Sequence, residues 1–384
     1  MTNKKYFFIG IGGIGMSSIA QYLYEKGNII LGYDALENRS VKILVKKGVE
    51  VINKLSLERI PDYMKEEDVI VVYTPAIPDD NIFLKYFRSN RNNPIFKRSE
   101  ILGEISKQSK CIAVAGTHGK TTTTAIISHL FHSSGIHFKA FIGGIMKCFD
   151  SNYINTGNDY IIVEADEYDR SFLNLNPNFA VITSIENDHL DIYGDFKSLT
   201  ESFQSFANNV KDVLITDAEI NLDKDFSFSI KNDSDYCLDN IDILENEIRF
   251  DFKTPNNFYS NISANIIGLH NLKNVLAALS IIDQIKEIDI QNLLPFLSNF
   301  KGIERRMDIY KLDNKVIIDD YAHHPTEIES VLNTIQTNYK NKSKAVVFQP
   351  HLFSRTRDFM DEFATVLSKF DEVYLLDIYP AREK

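Results

Sequence analysis

Apolar residues in this chain come in short continuous runs that stop at glycines or acids, and the pattern recurs in three places. The run at 6–9 meets Gly10, is followed by helical spacing through Ile19 and Leu23, and gives way to a second run at 29–31 that ends before Asp34. A run, an amphipathic stretch and another run predict a βαβ unit. The second place starts at 112–115, crosses a polar segment at 116–124 and continues with Ile126, Ile127, Leu130 and Phe131 on one helical face. Further strands are predicted at 160–163 and 180–183. The third starts at 316–318, passes through a helix after Pro325 and returns to strands at 345–348 and 373–376. Strands that are apolar throughout, without alternation, suit a parallel sheet covered on both faces, so the predicted class is α/β. Residues 217–263, rich in Asp and Asn with short alternating stretches such as 248–252, predict a small antiparallel insertion or a variable edge, with little chemistry.

The length of 384 residues exceeds what one hydrophobic core of up to about 250–300 residues accommodates. The polar segment 104–110 and the Phe300-Lys301-Gly302 turn place boundaries so that the units are 1–106, 107–300 and 301–384. The last is short for an α/β domain of about 100–150 residues. It is expected to stop early, leaving a sheet edge unpaired and apolar surface uncovered.

Composition narrows the function classes. The chain is 44% apolar and 25% charged with net charge −11, which argues against disorder and against a bulk nucleic-acid or anionic-membrane binder. Cys111, Cys148 and Cys237 are odd in number, scattered and in no metal or redox spacing, which fits a reducing, cytoplasmic compartment. Lys4 and Lys5 before an apolar stretch mimic a signal peptide, but the glycines at 10, 12, 13 and 15 interrupt any continuous apolar helix.

Candidate chemistry sits where the apolar runs end. Gly116, Thr117, His118, Gly119, Lys120, Thr121 and Thr122 follow a predicted strand and open a predicted helix, the setting of a phosphate-binding loop. Amides and the helix N-terminus would cradle phosphates, Lys120 would neutralise β/γ oxygens and Thr121 would ligate Mg²⁺. The general pattern wants glycine at 114, where Val114 stands. Glu164 ends the next strand, ahead of Asp166, Glu167 and Asp169, and His189 follows the strand after it, so both can supply Mg²⁺ ligands at the same sheet edge. Gly10, Gly12 and Gly15 fit G-x-G-x-x-G, and Asp34 stands where a ribose-binding acid would, an arrangement able to seat a diphosphate whatever nucleotide carries it. In the last unit Arg305, Arg306, the segment 319–325, His351, Arg355 and Arg357 gather cations, imidazoles and acids near strand ends. Taken separately, these features admit a nicotinamide-dependent oxidoreductase from the first unit or a regulatory P-loop module from the second.

Taken together, FIGIGGIGMSSIA at 8–20, GTHGKTTTT at 116–124, VEADEYDRSFL at 163–173, DHLDIY at 188–193, GLHNLKNVLAAL at 268–279, DDYAHHPTEI at 319–328 and QPHLFSRTRD at 349–358 closely resemble the Mur ligase family across essentially the whole chain. The resemblance implies a three-domain architecture: an N-terminal Rossmann-like UDP-binding domain, a central P-loop ATPase and a C-terminal Rossmann-like domain. It implies ATP-dependent joining of L-alanine to the lactoyl carboxylate of UDP-N-acetylmuramate through an acyl phosphate, with a sister ligase adding another amino acid or a peptide as the alternative. It places Thr121, Glu164 and His189 on Mg²⁺, Lys120 on the phosphates, Asn271 and Asn274 near adenine, and Arg306 and Asp320 at the nucleotide. Gly12, Gly13, Ile14 and Gly15 would take the UDP diphosphate, and His323 and Arg355 would face the acyl acceptor. The family usually has arginine where Leu352 stands, asparagine at Ser184 and lysine at Glu304, and the carbamylated lysine of some sister ligases has no counterpart in the predicted helix 200–207.

Overall fold

The computed structural model describes residues 3–89, 92–187, 190–230, 234–244, 247–381 and 383. The first unit is a five-stranded parallel sheet of β1 (Lys5–Ile9), β2 (Ile29–Tyr33), β3 (Glu50–Ile52), β4 (Ile70–Tyr73) and β5 (Ile95–Lys97), in the order β3-β2-β1-β4-β5. Phe7 and Ile9 of β1 point into one apolar layer and Tyr6 and Phe8 into another, so a strand covered on both faces is apolar at every position.

The central sheet has ten strands: β6 (Lys110–Ala115), β7 (Phe138–Met146), β8 (Ser151–Asn155), β9 (Tyr160–Glu164), β10 (Phe179–Ile182), β11 (Val213–Asp217), β12 (Phe226–Ser229), β13 (Tyr236–Ile243), β14 (Ile248–Lys253) and β15 (Phe258–Ala264). Their order is β15-β14-β13-β12-β11-β10-β6-β9-β7-β8. Pairing is parallel from β7 through β13 and antiparallel at both margins. Of the two expectations for 217–263, the segment is an edge of the central sheet and not a separate insertion. Its strands continue the central sheet, because Phe228, Tyr236, Phe250 and Phe252 extend the same apolar layer.

On one face of that sheet lie the helices Lys120–Ser133 and Leu269–Asp283, packed on Ile112 and Val114 of β6. The opposite face, with Cys111, Ala113 and Ala115, meets the helix Ile14–Glu25 of the first unit through Met16, Ile19 and Tyr22. A buried polar seam accompanies this contact: Gln21 donates to Asn152 Oδ1 at 2.8 Å and Asn152 donates to Ser17 Oγ at 2.9 Å. Pairing these polar atoms offsets their loss of water and fixes the first unit on the second.

The third unit begins with an antiparallel hairpin, β16 (Asp308–Leu312) and β17 (Lys315–Asp319), where the sequence predicts only the second strand. Helix Pro325–Asn338 follows, then a parallel pair, β18 (Ala345–Phe348) and β19 (Glu372–Leu375). Ile328, Leu332, Phe348, Phe363 and Val366 are buried there, whereas Val347 and Leu375 remain 67% and 64% exposed. No helix among the described residues is long and apolar enough to cross a membrane.

Candidate active site

The site forms where the strand order of the central sheet changes direction. β6 lies between β9 and β10, and register sets Val114 beside Glu164 and Ala115 beside Ile182. The loop after β6 therefore emerges with Glu164 on one side and Thr183 and Ser184 on the other, the crevice at the carboxyl ends of strands where α/β sheets bind ligands. Gly119 caps the helix Lys120–Ser133 in a left-handed conformation, φ +84°, and a Cβ there would lie 2.3 Å from Asn274 Oδ1. Glycine alone meets both conditions.

Lys120 folds back into its own loop. Its Nζ donates to the Gly116 carbonyl at 2.6 Å and the Thr117 carbonyl at 3.0 Å, and pairs with Glu167 at 2.8 Å. Burial pushes the Glu167 carboxyl up to about 7 against the pull of Lys120. Burial also opposes the Lys120 charge, but Glu167, Asp166 and Glu164 outweigh it and hold the ammonium above its ordinary value. Lysine is thus kept charged and positioned by a carboxylate that can yield it to a phosphate.

Glu164 is held at both oxygens, accepting from Thr121 Oγ1 at 3.0 Å and from the Gly143 amide at 2.8 Å. A hydroxyl and a carboxylate converging at a phosphate loop are hard oxygen donors and fit Mg²⁺. His189 lies outside the described residues. The other acids of the segment are engaged elsewhere: Asp166 pairs with Arg98 and Asp169 with Lys97, each at 2.8 Å, linking this loop to the first unit.

A cavity of about 220 Å³ between the second and third units brings together His118, Gly119, Thr121, Thr122, Asn271, Asn274, Arg306 and Asp320. Asn271 and Asn274 arrive from the helix Leu269–Asp283, and Asn274 donates to Asn271 Oδ1 at 3.4 Å. Asp320 accepts the Met307 and Ala322 amides, both at 2.7 Å, so it braces the chain around Arg306. Burial raises its carboxyl above the ordinary range. A smaller adjoining cavity is lined by Thr117, Lys120, Thr121, Glu164, Arg306 and His323. His323 contacts the Tyr321 carbonyl through Nδ1 at 2.8 Å and lies 5.8 Å, centroid to centroid, from His351. Arg355 is buried and is not among the residues lining that cavity; its Nη1 lies 3.4 Å from His351 Nδ1.

The glycine loop of the first unit stands apart. Gly12 donates its amide to Asp34 Oδ2 at 2.8 Å, and Asn38 donates to the Gly12 carbonyl at 3.0 Å. Asp34 therefore closes the turn as well as marking its position. Gly13 precedes the helix that Ile14 and Gly15 begin, and a Cβ on Gly15 would meet Arg98 Nη1 at 2.2 Å.

Several partners escaped the sequence reading. Glu167 passed for one acid among several but is the partner of Lys120; Glu186 lies in no quoted motif, and His270, Lys273 and Glu327 lie in quoted motifs without an assigned role, yet all four line the cavity. Lys273 is held by Asp217 at 2.6 Å, so the stretch beginning at 217 does carry a residue that shapes the site. Of the departures from the family pattern, Ser184 accepts the His118 amide at 2.9 Å and Glu304 pairs with Arg39 at 3.3 Å. Leu352 is buried at φ +72°.

Comparison with known proteins covers nearly the whole chain. Residues 5–110 match the model of the Mur ligase family catalytic domain, 114–282 the Mur ligase middle domain and 305–384 the Mur ligase glutamate ligase domain. A UDP-N-acetylmuramate–L-alanine ligase of Christiangramia forsetii is 45% identical, over 99% of this chain and 84% of that protein. The enzyme of that name from Porphyromonas gingivalis is 40% identical, over 99% and 86%. The crystal structure of UDP-N-acetylmuramate-alanine ligase from Thermotoga maritima superposes with a TM-score of 0.86 at 31% identity, covering 98% of this chain and 86% of that one.

Proposed function

The chain belongs to the Mur ligase family, and from that premise we propose that it joins L-alanine to the lactoyl carboxylate of UDP-N-acetylmuramate, using ATP, in peptidoglycan precursor synthesis. The observation that carries this reading is the meeting of Lys120, Thr121 and Glu164 from the central unit with Arg306 and His323 from the third around adjoining cavities. Amide synthesis from a carboxylate needs both a phosphate-handling side and an acceptor side, because the carboxylate oxygen is a poor leaving group. Phosphoryl transfer from ATP to that oxygen gives an acyl phosphate; the amine of L-alanine then attacks the acyl carbon and phosphate departs.

The residues divide this work. Lys120 leaves Glu167 to neutralise the transferring phosphoryl group, while the loop amides and helix N-terminus align it. Thr121 and Glu164 would hold Mg²⁺, which supplies positive charge to the phosphate oxygens when bound. Asn271 and Asn274 border the end of the cavity suited to the base, and Arg306, braced by Asp320, brings a cation from the third unit. His323 faces the side from which the amine arrives, and Arg355 acts on it through His351. Gly12, Gly13, Ile14 and Gly15 would seat the UDP diphosphate on the first unit. The three unpaired thiols suit the cytoplasm, where we place the reaction.

An ADP-release assay with UDP-N-acetylmuramate and, in turn, L-alanine, glycine, L-serine and a tripeptide tests the assignment. L-Alanine should give the highest kcat/KM; preference for the tripeptide would make this a sister ligase. Transfer of ¹⁸O from the labelled lactoyl carboxylate into released phosphate tests the acyl phosphate, and its absence would remove that step.

A further inference from the structure

Beside the phosphate loop, two imidazoles and a carboxylate converge: His118 of the loop, Glu186 after β10, and His324 at the start of the helix Pro325–Asn338. One potential ligand atom from each lies within 4.8 Å of the others. Charge pairing within one protein unit would explain a single histidine beside a single acid. It does not explain a second imbedded imidazole, whose ring lies 5.4 Å from that of His118.

The orientation of His118 is the second observation. Its Nδ1 is 3.1 Å from Glu327 Oε1, while its buried Nε2 makes no hydrogen bond although Glu186 Oε2 is 3.4 Å away. A carboxylate holding one ring nitrogen while the other is presented inward is how protein scaffolds orient a metal-ligating histidine. Glu327 is itself fixed, accepting the His323 amide at 2.9 Å. The His324 ring is backed edge-on by Phe359 at 4.7 Å, and its Nδ1 accepts the Thr326 amide at 3.4 Å, which caps the helix and orients the ring.

We propose that His118, Glu186 and His324 form a transition-metal site of the Zn²⁺ class, distinct from the Mg²⁺ position at Thr121 and Glu164, with Glu327 orienting the first ligand. Two imidazoles and one carboxylate are a borderline-soft donor set that favours Zn²⁺ or Co²⁺ over Mg²⁺, and three protein ligands leave a fourth position for water or a phosphate oxygen. Because two ligands belong to the central unit and one to the third, an ion here ties the third unit to the phosphate loop beside the nucleotide cavity.

Titration of the full chain with Zn²⁺ alone, without nucleotide or Mg²⁺, should give one equivalent bound. Co²⁺ should give a tetrahedral visible spectrum lacking a thiolate charge-transfer band. His324→Gln and Glu186→Gln should each weaken binding at least about tenfold, and Glu327→Gln by about 10–100-fold through loss of orientation. Circular dichroism of the metal-free variants establishes that they fold, and either ligand variant suffices if the other does not. Absence of stoichiometric Zn²⁺ binding by the parent would overturn the proposal, leaving His118 as a proton-bearing bridge between Glu186 and Glu327. Undiminished binding in the folded ligand variants, or a thiolate spectrum, would overturn it as well.

Discussion

Two glycine-rich turns of this protein follow a central parallel strand and open a helix, yet they meet different surroundings. The turn at 10–15 is closed by its own unit: Asp34 and Asn38 bond the backbone of Gly12. The turn at 116–122 is closed from within by Lys120, whose Nζ donates to the Gly116 and Thr117 carbonyls, and is then held from far along the chain. Its distant partners include Glu164, Glu167, Ser184 and Glu327, between 43 and 209 residues from the loop residues they contact. One is braced by side chains of its own unit, the other is a loop whose lysine and histidine are held by acids from other strand ends and from the third unit. Glycine spacing reports how close a backbone can approach a ligand; the charges around it decide what is done there.

If the division of labour holds, Lys120→Ala should lower kcat by about 10²–10³-fold or more while leaving the Kd for UDP-N-acetylmuramate nearly unchanged. Calorimetric titration with that substrate checks the second half, and equal loss of both would erase the contrast between the turns. Glu167→Gln sharpens it through pH. In the parent, the Glu167 carboxyl titrates near 7 when folded and near 4.5 when unfolded, so the folded state binds more protons between those values. Stability from this group is full below about 4.5 and falls as pH rises to about 7, by on the order of 1–3 kcal/mol. Urea unfolding at a series of pH values should show that fall in the parent and lose it in the variant.

On the first turn, Asp34→Ala removes the acceptor of the Gly12 amide. It should raise KM for the UDP substrate about tenfold with kcat little changed, since a hydrogen bond to a charged group contributes about 1.5–3 kcal/mol. A fall in kcat alone would mean that the first turn takes part in the chemical step. The mildest change is Gly15→Ala, whose methyl group meets Arg98 at Nη1, Cδ and Cζ. Arg98 must shift against its pair with Asp166, so unfolding stability should fall by about 1 kcal/mol.

Much of the layout was legible because it rests on local rules. Apolar runs such as 6–9 and 112–115 mark strands covered on both faces, and glycines before Lys120 mark a phosphate loop. The antiparallel margins of the central sheet were harder to place, since β13–β15 alternate like a free hairpin, and the parallel pairing of β13 with β12 at Phe228 and Tyr236 makes them part of the larger sheet. Ser17, Ser18 and Gln21 are buried because the first unit's helix lies against β8. Asp217, seen as the start of an unimportant segment, anchors Lys273 beside the nucleotide cavity.

The sequence by itself determined the α/β class, the two glycine turns, the strand-end acid Glu164 and the resemblance that family comparison shows. These depend on residue periodicity and on contiguous motifs, which are local properties of a chain. Only the tertiary structure decided which acid holds Lys120, that Asp166 and Asp169 serve the first unit, and that His118 meets Glu186, His324 and Glu327. Those pairings join residues up to 209 positions apart. Their strength comes from burial and separation in space, quantities that strand order and domain packing set and that linear spacing does not encode.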